Sequence, residues 1–299
     1  MRTDDLLAAD TRMGTVTLLV SDLDAMTHWY RDAVLLEVIT SVGSTVALGR
    51  GATPLVVLEH APDLTHAAQR SAGLFHTAIL FPTRASLAAS VYSIATATPG
   101  AFTGSADHLV SEAFYFDDPE GNGVELYFDR ARSGWNWADG QIQMATLPLD
   151  PNAYLRENLR GAASAAADTG TAMTADGAPA AGATVGHVHL RVGDITTARE
   201  FYVARLGFEA TVQFGDQALF VSAGGYHHHM AMNTWNSRGA GPRTRALGLG
   251  IVNVVVPDAD SLGALDERLT RFGHEVGHDG QTLSFDDPWR NLIRVTSAT

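Results

Sequence analysis

One pattern, written four times, constrains this chain more than any other feature of it. Gly14-Thr15-Val16-Thr17-Leu18-Leu19-Val20-Ser21-Asp22-Leu23 lies over Gly186-His187-Val188-His189-Leu190-Arg191-Val192-Gly193-Asp194-Ile195, and the segments that follow bring Trp29-Tyr30 over Phe201-Tyr202. A second pair is closer. Gly73-Leu74-Phe75-His76-Thr77-Ala78-Ile79-Leu80-Phe81-Pro82 overlays Gly248-Leu249-Gly250-Ile251-Val252-Asn253-Val254-Val255-Val256-Pro257, and both run on through Ser-Leu. Their ends share Phe-Asp-Asp-Pro and a following Asn, Phe116 to Asn122 against Phe285 to Asn291. Alternating stretches around an amphipathic one read as strand, helix, then about three strands. Self-similarity at roughly 50 residues means copies of one supersecondary unit. The class is therefore α+β, built from four βαβββ modules.

The expected organisation follows from where the repeats stop. Residues 13–130 hold modules one and two, and 184–299 hold modules three and four. Residues 131–160, with Trp135 and Trp137, read as a covering arm that ends in a short helix. Residues 161–183 are Ala, Gly, Thr and Asp with almost no large apolar side chain, the composition of a linker.

Composition narrows the function. With 20 Lys and Arg against 33 Asp and Glu, the formal charge of −13 tells against a nucleic-acid or anionic-membrane surface. A small neutral or aromatic molecule fits better. The chain has no cysteine, which excludes disulfides, thiolate nucleophiles and zinc–thiolate sites and leaves histidine and carboxylate as ligands. No signal pattern opens the sequence and no apolar run approaches the ~18 residues of a spanning helix, so a soluble cytoplasmic protein is expected. The sequence leaves a homo-oligomer open.

The opening strand Gly-His-Val-His-Leu-Arg-Val, the Phe-Tyr helix with Leu206-Gly207, and the closing Asp-Pro-Glu-Gly-Asn-Gly-Val-Glu (Asp118 to Glu125) resemble the vicinal oxygen chelate superfamily. That group includes glyoxalase I, bleomycin-resistance proteins and extradiol ring-cleaving dioxygenases. The four-module layout, Tyr226-His227-His228-His229 and the Trp-x-Trp arm are most similar to the bacterial catechol 2,3-dioxygenase-type group. The resemblance implies cup-shaped mixed-sheet barrels made from pairs of modules, a catechol-type diol and O₂ as substrates, and Fe(II), or Mn(II), as cofactor.

Sister modules supply a control for each polar residue. His76 faces Ile251, Glu125 faces Arg294, His187 faces Thr15 and His228 faces Leu55, so packing alone does not ask for a ligand-type residue at these positions. Two histidines and a carboxylate form the facial set of non-haem Fe(II) oxygenases, which leaves three open positions. The resemblance assigns His76, Glu125 and His187 to the metal. His189, two residues on and on the same strand face as His187, is the rival ligand or a substrate contact. By the same resemblance His228 is the acid–base residue and Tyr115 bonds the ligated hydroxyl; its sister residue is Ser284. A polar edge strand, and an aromatic filling a strand pair, are the plain alternatives for these two. His108, Trp135 and Trp137 complete the expected substrate contacts, with plain packing the alternative for the tryptophans.

Because the ligands fall in modules two and three, these are expected to share one cup and modules one and four a second, metal-free one. The 161–183 segment would then be a crossover. A glyoxalase-type isomerase would need a fourth protein ligand, and a metal-free binding protein would need none.

Overall fold

The computed structural model describes residues 6–165 and 182–299. Most of the expected 161–183 linker therefore lies outside the described residues. Each module is strand, helix and three strands. Module one is β1 (Arg12–Val20), α1 (Leu23–His28), β2 (Glu37–Val42), β3 (Thr45–Arg50) and β4 (Thr53–His60). Module two is β5 (Gly73–Leu80), α2 (Arg84–Ala97), β6 (Phe102–Asp107), β7 (Ser111–Asp117) and β8 (Gly123–Asp129). The arm carries β9 (Trp137–Ala138), β10 (Gln141–Ile142), β11 (Leu147–Pro148) and α3 (Pro151–Ala165). Module three is β12 (Thr184–Arg191), α4 (Ile195–Arg199), β13 (Glu209–Phe214), β14 (Ala218–Ser222) and β15 (Met230–Asn233). Module four is β16 (Gly248–Val256), α5 (Ala259–Arg271), β17 (Gly277–His278), β18 (Thr282–Asp286) and β19 (Leu292–Ser297).

The strands form two large mixed sheets. One runs β17-β18-β19-β16-β1-β4-β3-β2, the other β11-β6-β7-β8-β5-β12-β15-β14-β13. Every module helix starts the same way: Asp22, Thr83, Asp194 and Asp258 each accept a backbone N–H three residues on, from Ala25, Ser86, Thr197 and Ser261. Such caps satisfy donors the first turn leaves over and contribute about 1 kcal/mol each. No described helix is long and apolar enough to cross a membrane.

By contact density the chain divides into two compact units. One is Met1–Ser21, Ala61–Phe75 and Gly186–Thr299; the other is Asp22–His60 and His76–Val185. Each carries the same buried lock. The helix of module one ends in a π-turn, Trp29–Ala33, which points the Tyr30 hydroxyl at Asp118 (3.1 Å). The helix of module three ends in the π-turn Glu200–Arg205, and Tyr202 donates to Asp287 (2.9 Å). Both carboxylates are the second Asp of Phe-Asp-Asp-Pro, and each also accepts N–H groups from the Asn four residues on. The repeated Tyr and the repeated Asp, far apart in sequence, are two halves of one device.

Burial raises the Asp118 carboxyl from 3.8 to about 6, against hydrogen bonds from Asn122, Glu120 and Tyr30 that pull it down. A carboxyl raised in the folded state contributes stability that is complete below the unfolded value of 3.8 and lost as pH rises through about 6. The gap corresponds to at most about 3 kcal/mol. Asp118→Asn is expected to flatten the dependence of unfolding free energy on pH between about 4 and 7, measured by urea melts. Equal slopes for variant and wild type would show that this carboxyl ionises as it does in the unfolded chain.

Candidate metal centre

In the unit containing module two, β5 and β8 run parallel with His76 opposite Gly123 and Ala78 opposite Glu125. Residues two apart share a face, so the two ligand-type side chains lie diagonally on one side of the sheet. His76 Nε2 sits 2.9 Å from Glu125 Oε2, both side chains buried. On the antiparallel β7–β8 pair Tyr115 stands opposite Glu125, and its hydroxyl bonds that carboxylate. Burial first, then the Glu125 charge, pushes the phenol well above its ordinary pKa, so Tyr115 is a neutral donor.

His108 completes this half. Its Nδ1 lies 2.7 Å from the carbonyl oxygen of Ala145, and its Nε2 lies 2.7 Å from the Tyr115 hydroxyl. A carbonyl only accepts, so Nδ1 carries the proton; in neutral His108 the Nε2 lone pair then faces the phenol. The phenol has one proton and two acceptors, Glu125 and His108. The arm holds His108 in place, since β11 pairs with β6 at Ala106 and Asp107.

In the unit containing module three, β12 pairs in parallel with β15 from Val188↔Met230 through His189↔Ala231 to Arg191↔Asn233 without a slip. His187, His189 and Arg191 therefore share one face, and Val188 and Leu190, both fully buried, the other. His187 packs on His228 with ring centroids 4.1 Å apart. His189 lies among Phe75, Phe220 and Trp235 and bonds Asn233 (2.9 Å).

The triple histidine departs from the expected strand. His227, His228 and His229 precede β15 in irregular chain, all three buried, and His227 Nδ1 lies 2.8 Å from His228 Nδ1. Neighbours whose rings bond cannot point to opposite faces. The cause is local: Gly224 and Gly225 both take left-handed φ, +62° and +69°, and turn the chain before the histidines. Thr211 then donates to the His227 carbonyl, while the His229 N–H and C=O bond Val221 and Val188. One proton must be shared between the two Nδ1 atoms, which ties the tautomer of His228 to His227. Trp135 is buried, with its indole N–H on the Arg130 carbonyl, whereas Trp137 is 48% exposed on the β9–β10 hairpin.

His76, Glu125 and His187 each offer a ligand atom, all within 4.8 Å of one another, and all three residues are buried. Ligands held roughly 2.1 Å from one ion at right angles lie roughly 3 Å apart. The 2.9 Å between His76 and Glu125 fits that spacing. Two imidazoles and one carboxylate suit a divalent transition ion, and no fourth His, Asp or Glu belongs to the group among the described residues. Module four shows the same positions without chemistry: its parallel pairs are Ile251↔Leu292 and Asn253↔Arg294, and Ser284 stands opposite Arg294 where Tyr115 stands opposite Glu125.

Repeated βαβββ modules and a buried His-His-Glu set are the marks of one protein class, and the chain belongs to it: the model of the glyoxalase/bleomycin resistance protein/dioxygenase superfamily matches residues 12–126 and 184–295. Within it the chain is 34% identical over 284 residues to catechol-2,3-dioxygenase of Bacillus subtilis (strain 168), covering 93% of this chain and 94% of that protein. Two solved structures share the fold. A putative dioxygenase from Bacillus subtilis subsp. subtilis str. 168 superposes with a TM-score of 0.63 at 12% identity, covering 98% of this chain and 86% of that one. Glyoxalase I from Zea mays gives 0.58 at 16% identity, covering 96% and 92%.

Proposed function

We propose that this protein is an extradiol ring-cleaving dioxygenase that opens a catechol-type diol with O₂, using Fe(II), with Mn(II) the alternative ion. The observation that carries the reading is the group of three ligands, His76, Glu125 and His187, with no fourth member among the described residues. Three protein ligands leave positions for both diol oxygens and for O₂, whereas a glyoxalase-type isomerase would fill one of them. The curated relative, a catechol-2,3-dioxygenase, supports the same choice.

The ion would supply a Lewis-acid centre where diol and O₂ meet, with proximity replacing a slow bimolecular encounter. The chain's own residues do the rest. His228, backed by His227, takes the proton of a diol hydroxyl and returns it as the ring opens. Tyr115 stays protonated and turns its single proton from Glu125 or His108 to the diol oxygen, beside a His108 ring oriented by the Ala145 carbonyl. His189, among Phe75, Phe220 and Trp235, forms an aromatic wall for the ring. Trp135 braces the arm through Arg130 rather than meeting substrate, and half-exposed Trp137 lines the approach.

We also infer that modules two and three make the cup that holds the metal, and modules one and four a metal-free one. The strand orders support this: β5 to β8 share a sheet with β12 to β15, and β1 to β4 share the other with β16 to β19. On this reading 13–130 and 184–299 are the two halves, 131–160 the arm, whose closing helix runs on to Ala165, and 161–183 the expected crossover.

The test is anaerobic loading with Fe(II) or Mn(II), metal analysis, then catechol in air. A yellow ring-opened semialdehyde is expected from the loaded protein and none after chelation. Loaded protein that consumes neither O₂ nor diol would remove the reading.

A further inference from the structure

Arg191 continues the line of His187 and His189 along one face of β12, a register the unbroken pairing with β15 secures. It lies roughly 13 Å from His187 along the strand, four steps of about 3.3 Å. A diol ring, its side chain and an arginine stem span that distance. The Nε of Arg191 is buried and has no hydrogen-bond partner.

Among the described residues burial prevails and lowers the pKa of three arginines, which provides a comparison within the molecule. For Arg50 the charge of Glu37 opposes the effect, and for Arg243 the charges of Asp287 and Asp286 do. For Arg191 burial acts with no carboxylate to offset it among the described residues. Acids are not scarce in a chain with 33 of them against 20 basic residues. A half-buried guanidinium with an open donor edge is costly unless something anionic meets it.

Resting on the dioxygenase reading, we infer that Arg191 is a specificity residue: the substrate is an aromatic diol whose side chain ends in a carboxylate, received by the Arg191 guanidinium while the ring lies beside His189. The planar fork matches a carboxylate with two parallel N–H···O bonds, which a lysine replaces only in part.

The experiment compares dihydrocaffeate, a catechol carrying a propanoate chain, with 4-ethylcatechol, its counterpart without the carboxylate. For loaded wild type, kcat/KM is expected to favour dihydrocaffeate by at least about 10-fold, the scale of one charge-assisted bond. Arg191→Met should lower that preference about 10- to 100-fold, and Arg191→Lys should recover part of it. Calorimetry on metal-free protein gives a second readout, with dihydrocaffeate bound by wild type and Arg191→Lys but not by Arg191→Met. A preference that survives Arg191→Met, or equal binding of both diols by the metal-free protein, overturns the inference and leaves the dioxygenase reading standing. Arg191-dependent binding by protein that cleaves neither diol would instead keep the subsite and remove the dioxygenase.

Discussion

Glu125→Gln is expected to strip the metal from the protein and abolish ring cleavage, and His76→Ala to do the same. Glu125 contributes the only negative charge among the three ligands, and it is buried beside His76 at 2.9 Å. Gln keeps the shape and one acceptor oxygen but loses the charge that offsets a divalent ion. Removing a partner that merely hydrogen-bonds a ligand costs about 10- to 100-fold in affinity or activity, and losing a ligand itself should cost more. Metal per chain after anaerobic Fe(II) loading, read with O₂ uptake, measures both. Because Gln is isosteric, an unchanged thermal midpoint for the metal-free variant separates lost ligation from lost folding. A Glu125→Gln protein that retains a full equivalent of iron would show that the ion is held elsewhere.

His228→Ala should behave in the opposite way, keeping the metal and losing turnover. Its ring packs tilted against that of His187, centroids 4.1 Å apart, while His228 itself lies outside the ligand group. General acid–base catalysis contributes about 10²- to 10⁴-fold, so kcat is expected to fall within that range while metal content stays at the wild-type level. Loss of the metal together with kcat would make His228 a ligand. Loss of neither would return it to a packing role.

The four modules were legible because their punctuation is chemical: a capping Asp or Thr, an Asp-Asp-Pro turn, alternation between. A candidate ligand set is legible because sister modules supply blanks, Ile251 and Arg294 of module four for His76 and Glu125 and Thr15 of module one for His187, and the register pairs the module-four positions as the sequence comparison does. Other features were hidden for physical reasons. Strand alternation would turn His228 away from its neighbours, but two glycines with left-handed φ break the strand there and bring His227 and His228 into a hydrogen bond. The Tyr30–Asp118 and Tyr202–Asp287 locks join residues 88 and 85 positions apart, a pairing no local period reports, though both motifs were visible as repeats. Arg191 carries no ligand-type signal in sequence, although it lies two residues beyond His189 on the same strand face. His108 reads from sequence as a substrate contact; its bonds to the Ala145 carbonyl and the Tyr115 hydroxyl stay hidden because Ala145 lies 37 residues away and nothing in its sequence neighbourhood announces it.

The register of β12 against β15 bears on how such a protein survives its own chemistry. Val188 and Leu190 pair with Met230 and Met232, so both thioethers, fully buried, lie on the opposite side of the sheet from His187 and His189. The side that faces the histidines shows Ala231 and Asn233 instead. Methionine near stray oxidants becomes sulfoxide and unpicks a core, and cysteine fares worse. A chain with no thiol, and with this strand's sulfur turned behind the sheet, offers a leaked oxidant little to damage where the damage would begin.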